Sequence, residues 1–331
     1  MKRREFITLL GGATAASWPL VARAQQQDRM RRIGVLSNLP ENDPQMKARL
    51  SAFLQGLEKR GWSQGRNVQI DRRFGATTAG QLQAHAEELV ALQPDVILAN
   101  APRVVAAAQR AGRQAIPIVF VAVSDPVGAG FVTSLARPSG NLTGLMNFEA
   151  SITGKWLAML KEIAPTLGRV GLVGNPRETD FDYFLRAMRA AAPSLALEPA
   201  SIDVETGTDI EREIELFARK PGGGLVLPPD ATTISHSDLV IALANRHRLP
   251  AVYPFRFFVA AGGLMSYATD LVDQYRLAAG YVDQILRGAK PIDLPVQAPT
   301  RFETVINLGA AKAIGLAVPA SLLVRADEVI E

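Results

Sequence analysis

The chain has 331 residues, 48% of them hydrophobic and 21% charged, which supplies enough apolar side chain for large buried cores and favours two domains over one. It contains no cysteine, which excludes disulfides, thiolate metal sites, a cysteine nucleophile and lipid attachment through an N-terminal cysteine. The net charge of +4 falls to +1 once Lys2, Arg3, Arg4 and Arg23 are set against Glu5, so nucleic-acid binding has little electrostatic basis.

Residues 1–24 read as an export signal. Lys2, Arg3 and Arg4 precede an apolar run broken by Gly11, Gly12 and Pro19, and Ala22-Arg23-Ala24 fits the small-x-small cleavage rule. The Arg3-Arg4 pair resembles a twin-arginine signal; an ordinary secretory signal is the alternative. The run is too short and too interrupted for a membrane span, which needs about 20 apolar residues. The product is expected free in the periplasm.

Beyond the leader, short β-branched runs alternate with amphipathic segments, the pattern of βαβ units and mostly parallel sheets. The spacing predicts a strand at 33–36, a helix at 43–60 closed by Gly61, a strand at 67–73 and a helix at 82–92. A strand at 96–98, a helix at 104–114 and a strand at 118–121 follow. After Asn147 the rhythm repeats: helix 152–163 with Ser151 as candidate N-cap, strand 170–173, helix 181–192, strand 197–202 and helix 209–218. Then come strand 225–227, helix 237–246 and strand 251–253. Residues 262–270 read as turn, strand, turn. A helix at 275–286 ends at Gly288, prolines at 291, 295 and 299 mark an extended strap, and 302–308 is a last strand. A short helix through Ala313 and a polar tail with Leu322-Leu323-Val324 close the chain. The stretches QPDVILANAP (93–102) and PGGGLVLPPD (221–230) form a weak internal repeat, as expected of two similar lobes. Trp62 and Trp156 fall on amphipathic helices and read as packing.

Ligands of open α/β sheets bind beyond the carboxyl ends of the strands. Those positions hold Ser37, Asn38, Asn100, Ser124 and Asp125 in the first half, and Asn175, Asp230, Tyr253 and Phe255 in the second. Each could equally be a cap or a loop bond. Together they suit a neutral or zwitterionic organic molecule held by hydrogen bonds and ring contacts.

Enzymatic readings lack support. No Gly-x-Ser-x-Gly elbow or Walker A lysine occurs, and no histidine and carboxylate spacing matches a metal site. His85 and His247 read as solvated surface, and His236 as part of a helix-start cap. Gly128-Ala129-Gly130 has Thr133 where a dinucleotide loop needs its third glycine. No catalytic residue, cofactor or metal is expected.

The stretches SDPVGAGFVTSLARPSGNLTG (124–144), YPFRFFVAAGGLMSYATD (253–270) and RFETVINLGAAKAIGLAVPASLLVRADEVIE (301–331) resemble the TrpX-like family of ABC-transporter substrate-binding proteins. The resemblance implies an α/β, type I periplasmic-binding-protein fold with two similar lobes joined by a three-crossover hinge. It places an N-terminal lobe at 31–147 plus about 267–293 and a C-terminal lobe at 148–266 plus about 299–331. Hinge crossings are expected near Phe148, Ser266 and Pro295. It also implies a monomeric periplasmic protein that captures a small solute of amino-acid or aromatic-acid type and delivers it to an inner-membrane permease. The namesake's tryptophan is not carried over. A periplasmic ligand sensor shares this body, as does a transcription regulator, but the export leader stands where a DNA-binding module would.

Overall fold

The structure is a computed structural model that describes residues 29–76, 78–112, 115–177 and 180–331; the expected leader lies outside them. The first sheet takes β1 (Arg31–Leu36), β2 (Val68–Arg73), β3 (Val96–Asn100), β4 (Ile118–Val123) and β5 (Leu142–Met146) in the order β2-β1-β3-β4-β5, all parallel. Helices α1 (Pro44–Glu58), α2 (Ala79–Ala91) and α3 (Pro102–Gly112) connect them. The second sheet takes β6 (Arg169–Gly174), β7 (Glu198–Asp203), β8 (Gly223–Val226), β9 (Ala251–Tyr253), β10 (Met265–Ala268), β11 (Glu303–Asn307) and β12 (Glu328–Ile330). Its order is β12-β11-β10-β9-β8-β6-β7, parallel except between β10 and β11. Around it run α4 (Ile152–Ile163), α5 (Phe181–Ala191), α6 (Gly207–Ala218), α7 (Ala231–Ser235), α8 (Ser237–Arg246) and α9 (Arg256–Ala260). Helix α10 (Leu271–Leu286) returns to the first sheet, and α11 (Leu308–Ala313) and α12 (Ala320–Arg325) close the chain.

Local chemistry explains the element ends. Asp43 caps α1 by accepting from the Met46 amide at 2.9 Å, and Pro44 occupies the first turn, where no N–H is needed. Gly61, at φ +91°, ends the helix in the left-handed region, and the Trp62 amide reaches back to the Leu57 carbonyl at 3.0 Å. The buried face of α1 carries Met46, Leu50, Phe53 and Leu57 and packs on α10. That packing requires glycine at 56, where a Cβ would lie 2.7 Å from the Ala279 Cβ. The first sheet has apolar cores on both faces, as buried parallel strands require; the second has one continuous core running from Phe148 to Leu322.

Several expectations are corrected. β5 is a strand beyond those expected; glycine at 144 is what lets it pair, since a Cβ there would sit 2.1 Å from the Phe120 carbonyl oxygen. Helix α10 begins at Leu271 rather than Tyr275, because Asp270 caps it through the Val272 amide at 2.7 Å. Ser151 makes no side-chain cap bond. The polar tail forms α12 and β12, so β11 is not the last strand. His85 and His247 are half-buried, each enclosing one ring nitrogen without a partner. The His236 ring sits 2.9 Å from the Thr232 carbonyl instead of capping α8.

The chain crosses between the sheets three times: after β5, at Thr269–Asp270 and at 298–302. The first crossing contains Phe148. The other two are displaced. Ser266 pairs with Tyr253 and Val305 inside β10, so the expected boundary near 267 falls within a strand. Beyond Pro295, Gln297 still bridges Leu145 of the first sheet.

Candidate functional site: the inter-sheet cleft

The carboxyl ends of β1, β3 and β4 face those of the second sheet. Ser37 is buried, and its hydroxyl accepts from the Leu39 amide at 3.1 Å; half-buried Asn38 follows. Asn100 is 4% exposed, and its Oδ1 is enclosed without a protein partner. The next residue, Ala101, has φ +69°, and Ala122 in β4 has φ +56°. Non-glycine residues enter this region at a cost and persist where surrounding structure enforces them, commonly at binding sites. The Ser124 hydroxyl donates to Asn147 Oδ1 at 3.1 Å, and the Ser124 amide lies 3.4 Å from Asp180 Oδ2 at the start of α5, linking the two sheets. Asp125 turns away to accept from the Gly128 amide at 2.7 Å.

On the second sheet, Asn175 and Asp230 hold each other. Asp230 Oδ2 accepts from the Asn175 amide at 3.0 Å and Oδ1 from the Thr233 amide at 2.8 Å, while Asn175 Nδ2 donates to Thr232 Oγ1 at 3.1 Å. Burial raises the Asp230 pKa, opposed by amides of Thr233, Asn175 and Thr232. Asp230 is thus the N-cap of α7, and both its oxygens are engaged within the chain. Tyr253 is 1% exposed and stacks on Phe258 at 5.1 Å, in the core rather than facing the cleft. Phe255 lies between Phe148 and Phe257, with ring centroids 6.2 and 5.9 Å away.

Phe255 also lines a cavity of about 290 Å³ between the first turns of α1 and the elements α9, β10 and β11. None of the other positions expected from the strand ends reaches this cavity. Its wall includes Arg49, Phe257, Ser266, Asp270 and Glu303. Arg49 is 6% exposed and Ser266 1%, and Arg49 Nε and Ser266 Oγ are enclosed without partners. Burial lowers the Arg49 pKa; Tyr275, Asp43 and Asp270 act in the opposite direction. Sequence reasoning missed Arg49, although a signal existed. It lies three residues after Met46 and four before Phe53, on the apolar stripe of α1, where a charge has to be buried.

A third cluster sits at the crossings. Gln274 of α10 is 5% exposed; its Oε1 accepts from the Ala122 amide at 3.3 Å, and its Nε2 donates to the Met146 carbonyl and Thr269 Oγ1, each at 3.1 Å. Gln274 therefore joins β4, the end of β5 and the second crossing. Among the described residues no group of histidine and acidic side chains could hold a metal ion, and no helix is long and apolar enough to cross a membrane.

The strand-end geometry makes Asn100 informative. Asn100→Ala is expected to weaken solute binding by about 1 kcal/mol or more, the scale of a lost buried hydrogen bond. Its melting midpoint should stay near the parent's, because its Oδ1 has no partner within the chain to lose. Calorimetric titration beside a thermal melt reads both.

Two α/β sheets that face each other by their strand ends, with three crossings between them, define a type I periplasmic-binding-protein fold. The chain belongs to the ABC transporter substrate binding protein family, whose model matches residues 33–330. It is 26% identical over 288 residues to a tyrosine-binding protein of Clostridioides difficile (strain R20291), covering 87% of this chain and 82% of that protein. A Streptococcus pneumonia structure in complex with L-Trp superposes with a TM-score of 0.83 at 24% identity, covering 91% of this chain and 99% of that one. A ligand-free, open substrate-binding protein with adhesive properties from Clostridium difficile gives 0.70 at 24% identity, over 91% and 99% of the two chains.

Proposed function

We propose that this chain is the periplasmic solute-binding component of an ABC importer, capturing an amino acid or aromatic acid between its two sheets. The carrying observation is the inter-sheet cleft itself: strand ends of both sheets converge, Asn100 Oδ1 and Ser266 Oγ are left without partners, and Phe255 and Phe257 form an aromatic wall. The relatives that bind tyrosine and tryptophan support the choice of solute class.

Solute docks in the cleft and favours the closed arrangement to the extent that it contacts both sheets; a ligand shifts such an equilibrium only by its difference in affinity for the two states. The Ser124–Asp180 contact, which bridges the sheets, supports reading the present arrangement as the closed one. The closed monomer then presents one face of each sheet domain to an inner-membrane permease. In this role no bond in the solute changes, which accords with a family of substrate-binding proteins.

Thermal melts against a panel of aromatic and aliphatic amino acids test the proposal. A solute that binds only the folded state raises the melting midpoint, by the equivalent of about 2.7 kcal/mol at a hundred times its Kd. Small-angle scattering should show contraction with the same compounds. A panel without a single stabilising compound would count against it.

A further inference from the structure

We propose that Arg49 is the carboxylate receptor of the cleft, so that the solute carries a carboxylate held between the Arg49 guanidinium of α1 and the Ser266 hydroxyl of β10. This deepens the solute-binding reading and rests on it.

The argument begins with a charge in the wrong place. Arg49 is 6% exposed, yet it forms no ion pair within 4.0 Å with any carboxylate among the described residues. Its one side-chain hydrogen bond is a long one from Nη2 to Gln45 Oε1 at 3.4 Å, and Nε has none. Buried cations are normally paired, because desolvation is otherwise uncompensated. The rest of α1 does not need a charge at this position: the neighbours along its stripe are Met46, Leu50 and Phe53. Across the cavity, Ser266 is 1% exposed, and its hydroxyl also lacks a partner. Arg49 stands on α1, which packs with the first sheet, and Ser266 on β10 of the second sheet, and both line one cavity.

Their chemistry selects the ligand. A guanidinium offers a planar fork of donors that matches a carboxylate, and a hydroxyl adds one more donor. Asp270 and Glu303 line the same cavity, so a second negative charge on the ligand would be repelled while an ammonium group would be welcome. Asp270 spends one oxygen on the Val272 amide, and Glu303 lies 3.4 Å from the exposed Arg301. Phe255 and Phe257 supply an apolar wall. The arrangement fits a zwitterion with an apolar side chain. Because Arg49 belongs to the first sheet's helical layer and Ser266 to the second sheet, one carboxylate touching both would couple recognition to closure.

The test uses the full chain and three matched probes: L-tryptophan, its amide and tryptamine, with the corresponding leucine and tyrosine sets. The acids are expected to raise the melting midpoint and to bind at least tenfold more tightly than the amides or amines. Arg49→Gln should lose at least tenfold in affinity for the acid while distinguishing acid from amide much less; Arg49→Lys should recover part of both. The inference is overturned if amides bind as tightly as acids, if Arg49→Gln binds the acid like the parent, or if no acid binds. Should Arg49→Gln not fold, the acid–amide comparison on the parent and the Arg49→Lys variant decide. Binding of neutral or cationic members alone overturns the Arg49 assignment and leaves the solute-binding reading standing; silence from every compound removes both.

Discussion

Gln274→Leu is expected to lower the melting midpoint by roughly 5–10 °C and to weaken solute binding. Leucine is close in volume but carries neither donor nor acceptor. It would leave the Ala122 amide, the Met146 carbonyl and the Thr269 hydroxyl without the partner each now has. A buried group deprived of its partner costs about 1–3 kcal/mol. A total of about 3 kcal/mol moves the midpoint of a chain of this size by a few degrees per kcal/mol. The functional effect has a separate origin. Ala122 carries a left-handed backbone and packs against the core of the second sheet, so its amide bond to Gln274 helps hold β4 where the sheets meet. Losing that bond loosens the closed arrangement and lowers affinity by reducing its population. Calorimetry together with thermal melts checks both parts. A variant that melts and binds like the parent would show that the crossings keep their geometry without Gln274.

Trp156→Ala should be the most destabilising of the substitutions considered, at about 3–5 kcal/mol, the range for removing a fully buried large aromatic. Trp156 is 0% exposed in the core of the second sheet, with Phe148 and Phe184 rings 5.4 and 5.6 Å away. Its indole N–H donates to the Tyr267 carbonyl of β10 at 2.8 Å, fastening α4 to the strand that leads into the second crossing. Trp156→Phe keeps much of the packing but loses the hydrogen bond and part of the ring volume, so it should cost less, about 2 kcal/mol. Denaturant titration separates the two variants. Trp62, hydrogen-bonded to Asp283 at 2.7 Å beside the first sheet, remains as a fluorescent reporter in both. Equal midpoints for the two variants would mean that the ring contacts contribute little.

The strand and helix rhythm was readable because most elements bury one face or lie wholly inside, and both conditions leave a period in the apolar residues. Helices 152–163 and 237–246 and strand 251–253 coincide with their expected bounds. The failures are short or interrupted elements. β5 hides behind Gly144, α7 and α9 span one turn each, and β12 pairs three residues at the sheet edge. The rule of strand ends singled out Asn100, Ser124 and Phe255, of which Phe255 lines the cavity between α1 and β10. Tyr253 obeys the same rule yet points into the core, since alternation along a strand sends neighbouring side chains to opposite faces. The double role of a capping carboxylate is equally invisible in sequence: Asp230 follows β8 as a ligand group would, and is consumed by the amides of Asn175 and Thr233.

Periodicity and composition alone established an α/β chain of two similar halves, without thiols and with its excess charge concentrated in the first 24 residues, because burial of apolar faces is a local demand written residue by residue. Which polar groups converge is a different kind of fact. Arg49, Ser266 and Asp270 are separated by more than two hundred positions from one end to the other, and they share a cavity only because three crossings fold one sheet against the other. The second and third crossings could be located only from strand pairing, since Ser266 and Gln297 are assigned to a sheet by the backbone hydrogen bonds they make with distant partners and not by any property of their own side chains.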